Sequence, residues 1–192
     1  MPIIRIDYND NFAIRIKERA VFEYCNHYLI KFELANCSYI DHPEIYSVEI
    51  TKNNVSDCIG MGFSVERMKK YLLEQNLYMK GYIYYSKNGN KPVGCVWVAF
   101  KGADEFQYRI RYVDAFGFDF AVNPSYRGQG IVGFMIHELL ILLKEKGIDS
   151  LYASVRKNNK SALRAYNKFG ATIVSNKKFY RLLGIRIPYP II

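Results

Sequence analysis

Four cysteines, three histidines, one tryptophan and six prolines are spread over 192 residues. Each scarcity removes a class of protein. Cysteines 25, 37, 58 and 95 form no C-x-x-C pair, and His27, His42 and His137 complete no zinc spacing. No metal is expected, and the scattered thiols read as reduced core residues. No run reaches the roughly 18 apolar residues that a membrane-spanning helix needs. The first residues, MPIIRIDYNDNF, lack the apolar run and small-residue end of a secretion signal. A cytoplasmic location and no membrane partner are the expectations. Thirteen Gly and six Pro are too few for a collagen-like or linker-dominated chain. There is no solenoid repeat and no low-complexity segment.

What is present is an apolar half and a basic excess. Hydrophobic residues make up 50% and charged residues 23%, which excludes a mainly disordered chain. The length is ample for one core. Lys and Arg number 27 against 18 Asp and Glu, a net charge of +9. That balance points to an anionic partner: nucleic acid, a membrane surface or a phosphorylated cofactor. Residues 1–75 hold nine basic and eleven acidic side chains, and residues 76–192 hold eighteen and seven. The excess therefore belongs to the second part of the chain.

Hydrophobic spacing gives a mixed α/β order. Ile3 to Ile6 reads as a short strand. The Gly- and Pro-free stretch Asn11 to Asp41, with Ile14, Val21, Cys25, Tyr28, Leu29 and Phe32 near helical spacing, predicts one or two helices. Glu44 to Thr51 reads as a strand and Cys58 to Gly62 as a breaker. Ser64 caps a helix that ends near Gln75. Gly81–Tyr85, Asn88-Gly89-Asn90 and Pro92–Phe100 spell a hairpin. Tyr108 to Val122 is the third strand of a meander. A long helix with Ile131, Phe134, Met135, Leu139, Leu142 and Leu143 on its apolar face follows, closed by Gly147. Leu151 to Val155 is a strand, and Asn158 or Asn159 caps a last helix ending at Gly170. Ala171 to Val174 and Lys178 to Leu183 suggest a closing pair of strands. His137 falls off the apolar stripe and is expected at the surface, and His27 and His42 are structural or surface groups.

The sharpest feature is Arg127-Gly128-Gln129-Gly130 between strand and helix. Glycines let backbone approach a ligand, and the first amides of a helix lack internal partners and favour phosphate. No Lys-Ser/Thr follows Gly130, so this is no Walker loop, and the spacing is not that of the dinucleotide fingerprint. The context is specific. Val122-Asn123-Pro124-Ser125-Tyr126-Arg127-Gly128-Gln129-Gly130-Ile131 resembles the central motif of the GNAT (GCN5-related N-acetyltransferase) superfamily. Asn159 to Ala171, with Ala162, Tyr166, Lys168 and Gly170, is similar to its second motif. The likeness covers about Tyr82 to Leu183. Two positions depart from it: Val132 stands where the family has a small residue, with Gly133 next, and Gly170-Ala171 stands for Gly-Phe.

The resemblance implies an α/β fold of α+β character: a mostly antiparallel sheet with splayed parallel strands and flanking helices. It implies one domain over 1–192, with 1–75 a variable, acceptor-side region, 76–183 the acetyl-CoA-binding core and 184–192 a tail. It implies acetyl transfer from acetyl-CoA to a primary amine of a small molecule or protein. The implied cofactor-binding residues are Phe120, Ala121, Val122, Arg127, Gly128, Gln129, Gly130, Ile131, Val132, Asn159 and Tyr166. Phe120 to Val122 match the donors for the oxyanion, Asn159 a contact to the cofactor arm, and Tyr166 the general acid. No base is assigned: Phe116 stands where some members carry Glu, and strand alternation places Asp119 opposite a Phe116, Phe118, Phe120, Val122 face. Two other readings stand beside this one: a coenzyme A-binding protein of the same fold without catalysis, and a basic nucleic-acid-binding module. The last ranks lowest, since no nucleic-acid motif is present. A homodimer is compatible with all of them.

Overall fold

Strand β1, Phe22–Glu33, is where the sequence expectation fails first. The helical spacing read across 11–41 is, from residue 22, a strand followed by a short 3-10 turn, Leu34–Asn36. Cys25 and Leu29 enter one core while Ile30 and Phe32 enter the other. A strand covered on both faces is apolar at both parities, so its run mimics a helical one. The structure, a computed structural model, describes residues 22–37, 42–74, 78–103, 113–182 and 185–187. The expected strand at Ile3 to Ile6, the start of the expected helices, residues 108–112 and the tail beyond 187 lie outside these.

The remaining elements follow in order. They are β2 (Ile45–Glu49), α1 (Ser56–Ile59), α2 (Val65–Glu74), β3 (Met79–Ser86), β4 (Lys91–Phe100) and β5 (Ala115–Val122), then α3 (Ile131–Lys144), β6 (Ser150–Arg156), α4 (Lys160–Lys168), β7 (Thr172–Leu182) and β8 (Ile185–Ile187). The breaker at 58–62 thus holds the short helix α1 before Gly62 turns the chain. The expected closing pair is one long strand, β7, with β8 after it. Ser175-Asn176-Lys177, the gap between the two expected strands, pairs with Leu29, Tyr28 and His27 of β1. Ladder bonds to a neighbouring strand override weak turn preference.

The eight strands order as β2-β3-β4-β5-β6-β1-β7-β8, all neighbours antiparallel except β5 and β6. Helices α1 and α2 cover one face through Cys58, Met68 and Tyr71, which pack with Trp97, Phe116 and Phe118. Helices α3 and α4 cover the other through Met135, Ile136, Leu139 and Tyr166, which pack with Phe32, Val96 and Leu151. Each such large side chain, taken fully from water, contributes about 1.5–3 kcal/mol. His137 is only 9% exposed, against the expectation of a surface position. On α3 the covered face is wider than one stripe: residues 133–137 are all buried. Gly147, at φ 74°, ends the helix while the Ile148 amide donates to Leu143 O at 3.0 Å, closing the C-terminal turn.

Three buried tyrosines make an alkaline prediction. Burial pushes the phenols of Tyr84, Tyr85 and Tyr166 above their ordinary value, and the bond from Tyr85 to Asp57 adds to its shift. The unfolded phenols ionise near pH 10 while the folded ones keep their protons. The stability they contribute is therefore full below about pH 10 and is lost as pH rises toward the folded values. Thermal melts from pH 9 to 11.5 should show Tm falling only above about pH 10. A flat Tm over that range would contradict the burial of these hydroxyls.

Candidate active site

The parallel pair β5–β6 is short. Phe116 pairs with Tyr152 and Gly117 with Ala153, and beyond them the strands part. The parting opens a cleft of about 270 Å³ whose walls include His27, Asp119, Phe120, Arg156, Asn159 and Tyr166. β4 and β5 pair irregularly at the same level: Trp97 faces Phe118 and Cys95 faces Ala121. Two residues, Asp119 and Phe120, thus oppose the single Val96, which is a β-bulge on β5. Asp119 at the bulge has φ 53°.

The bulge overturns the expected face assignment. Phe116 and Phe118 belong to the core under α1 and α2, whereas Phe120 and Val122 pack on the α3 side. Asp119, expected opposite the Phe118 face, shares it: Tyr71 meets the Phe118 ring edge-on at 5.3 Å and donates to Asp119 Oδ2 at 2.9 Å. One extra residue breaks strict alternation, and nothing in the pattern of side chains announces it.

Tyr166 sits on α4, whose apolar residues Ala162, Leu163 and Tyr166 face the sheet. Its ring lies edge-on to Phe32 at 5.4 Å and to Phe120 at 6.2 Å. Burial alone pushes its phenol up to about 12. Among the described residues no group accepts a hydrogen bond from its hydroxyl. Asn159 is the N-cap of α4: its Oδ1 accepts from Ala162 N at 3.2 Å and from Ser161 Oγ at 3.1 Å.

Beyond β5, Asn123 turns the chain through a 3-10 turn, its Oδ1 accepting from Ser125 N, and Arg127 Nε donates to Val122 O at 3.3 Å. Gly128 and Gly130 take φ near 80°, a conformation that costs a residue with Cβ about 1–2 kcal/mol. Gly130 then caps α3, and its carbonyl accepts from Gly133 and Phe134. Among the described residues, the amides of 128–132 donate to no backbone carbonyl. Five donors at the positive end of a 14-residue helix suit phosphate oxygens. Space around Gly128 is open, with no atom within 4 Å of where a Cβ would stand. These residues fit the pyrophosphate of coenzyme A.

Of the sequence-expected residues, the cleft brings together Phe120, Asn159 and Tyr166. Arg127 to Val132 form the neighbouring strand–helix turn, where Val132 packs partly against the α3 core. Ala121 and Val122 pair with Cys95 and Gly94 in the sheet. The cleft also holds two residues that the sequence gives no site role: His27, expected as a structural or surface group, and Asp119, expected on the opposite strand face. His27 arrives on β1, a strand where the spacing predicts helix, and Asp119 arrives through the bulge.

The model of the acetyltransferase (GNAT) family matches residues 43–171. The chain belongs to the GNAT acetyltransferase family. Over 63 residues it is 38% identical to the ribosomal protein bS18-alanine N-acetyltransferase of Haemophilus influenzae, a stretch that is 33% of this chain and 42% of that protein. Less than half of that relative is therefore spanned. The fold is similar to a GNAT-family acetyltransferase from Colwellia psychrerythraea, at TM-score 0.58 and 17% identity, over 86% of this chain and 58% of that one. It is also similar to AAC(6')-Iy in complex with the bisubstrate analogue CoA-S-monomethyl-acetylneamine, at TM-score 0.51 and 14% identity, over 66% and 88%. This family member keeps the fold at low identity, and strand β1 lies outside the matched 43–171.

Proposed function

We propose that the chain transfers an acetyl group from acetyl-CoA to a primary amine. The observation that carries this is the set of amides at 128–132 that donate to no backbone carbonyl among the described residues, in the turn that follows β5, the strand whose parting from β6 opens the cleft that Tyr166 lines. The amides and Arg127 hold the pyrophosphate. The parted strands receive the pantetheine arm, which Asn159 contacts. The thioester supplies an activated acyl group. Within Phe120 to Val122, the amides directed away from β4 stabilise negative charge on the attacked carbonyl oxygen.

Tyr166 serves the leaving sulfur. A phenol held near 12 keeps its proton at neutral pH. A coenzyme thiol has an ordinary pKa near 8.5, so full transfer of that proton to the thiolate is uphill. The phenol acts first as a hydrogen-bond donor to the charge gathering on sulfur. Arg127, Arg156, Lys157, Lys160, Arg164 and Lys168 are exposed and add a field that favours a multiply charged anion. The weakly acidic residues 1–75 suit a cationic acceptor.

Calorimetry with acetyl-CoA and a thiol-release assay across small amines, aminoglycosides and peptide N-termini test the proposal together. Binding in the micromolar to sub-millimolar range and thiol release with one amine class are expected. Gly130→Ala should weaken acetyl-CoA binding about tenfold, since strain at φ 81° disturbs the cap that presents the amides. No heat at millimolar acetyl-CoA would end the proposal.

A further inference from the structure

Two non-glycine residues among those described have positive φ, Asn90 and Asp119. Asn90 lies in the β3–β4 turn, where Asn often takes this conformation. Asp119 lies inside a strand. Strain of that kind persists only where the surroundings hold it.

What holds it comes from helix α2. Arg67 Nη2 donates to Asp119 Oδ1 at 2.6 Å, and Tyr71 Oη donates to Asp119 Oδ2 at 2.9 Å. Arg67 Nε donates to Tyr71 Oη at 2.8 Å, so three bonds close a ring. Arg67 and Tyr71 are four apart and share one helix face. Ser64 Oγ accepts from Arg67 N at 3.2 Å, fixing the helix start beneath them. The Asp119 side chain is 14% exposed, so the ion pair is little screened by water.

We propose that Arg67 and Tyr71 are positioning residues that latch the Asp119 bulge in its left-handed form and thereby aim Phe120 at Tyr166. Without the bulge, strict alternation would put Phe120 on the α2 face with the rest of its parity shifted. With it, the Phe120 ring stands 6.2 Å from that of Tyr166. Helix α2 belongs to the acceptor-side region, so the latch ties that region to the geometry around the departing sulfur. Both Asp119 oxygens already accept bonds, which suits a structural anchor and not a proton acceptor. The rate consequences rest on the acetyl-transfer reading, whereas the structural consequences do not.

Glycine tests the latch, because it adopts positive φ without help. Asp119→Ala and Arg67→Met should each lower kcat roughly tenfold or more, as about 1 Å of misplacement does, with KM for acetyl-CoA within about twofold. Asp119→Gly should keep about a third or more of wild-type kcat, and Arg67→Met added to it should cost less than about twofold. In the free protein, nuclear Overhauser contacts between the Phe120 and Tyr166 rings should persist in Asp119→Gly and vanish in Asp119→Ala and Arg67→Met. If Asp119→Gly were as slow as Asp119→Ala, the carboxylate itself would act on substrate and the latch would be refuted. Ring contacts unchanged in Arg67→Met would refute it too. Should Asp119→Ala fail to fold, Tyr71→Phe and Arg67→Met give the same readings. A wild-type protein that transfers no acetyl group would remove the proposed function while the ring contacts still decide the latch.

Discussion

Replacing Tyr166 by Phe is expected to lower turnover about a hundredfold and to leave the Kd for acetyl-CoA within about twofold of wild type, the usual range for losing one proton-donating group. The substitution removes one oxygen and keeps the ring, so the edge contacts with Phe32 and Phe120 survive. The hydroxyl makes no hydrogen bond within the described residues, so its removal strands no protein partner. Stability should therefore hold or rise slightly, because a buried polar group is deleted without orphaning another. The wild-type pH profile adds a second check. With the phenol pushed up to about 12, Tyr166 stays protonated through any ordinary assay. It should cause no loss of kcat on the basic side below about pH 11. Single-turnover thiol release read beside calorimetry decides the matter. Intact binding with intact turnover would remove Tyr166 from the chemistry. A wild-type protein that binds acetyl-CoA yet releases no thiol with any amine would favour the cofactor-binding reading without catalysis.

Gly133→Ala is expected to destabilise the fold by about 3 kcal/mol, the upper end for an overpacked core. Gly133 lies in the first turn of α3, and a Cβ there would run into the ring of Phe169. Phe169 is 4% exposed and ends helix α4, so the ring has no free space to move into. Helix preference by itself favours Ala over Gly by about 1 kcal/mol, so a loss of stability would show packing outweighing propensity. The double substitution with Phe169→Ala should cost less than the sum of the two single ones, since the smaller side chain vacates the space the methyl needs. Urea titrations of the four proteins give the coupling. Additive losses would mean that the two residues do not compete for one volume. The same contact explains the glycine where Val132 departs from the family motif: Val132 faces partly into the core, and the close approach falls one residue later.

These two sites differ in how far the sequence exposes them. The turn from Val122 to Val132 is legible because glycine spacing, the proline stop and the helix start are all local. The cap at Asn159 and the ends at Gly147 and Gly170 are legible for the same reason. Strand β1 is not. Its apolar residues serve two cores, and only its neighbours β6 and β7, more than 115 residues away at every register pair, reveal which. Asp119 fails for a different reason. A bulge changes face by a single residue, and its stabilising partners lie 48 and 52 residues earlier on α2. His137 falls off the apolar stripe yet is covered, because α3 buries a face wider than one stripe. Tyr166 was reachable in identity through the second motif, but its burial between Phe32 and Phe120 depends on β1 and on the bulge.

The position of β1 also sets an order of assembly. Its partners β6 and β7 are the strands at 150–156 and 172–182. A growing chain therefore carries an apolar strand with both edges open while the next hundred residues are made. The meander of β2 to β5 closes on short-range pairs and can condense early. The wall of the cleft that bears His27 waits until α3 and β6 have emerged. During that interval both edges of residues 22–33 lack their partners, a hazard for edge-to-edge aggregation. A ribosome stalled before residue 150 would hold a nascent chain with helices α1 and α2 made and no cleft between β5 and β6.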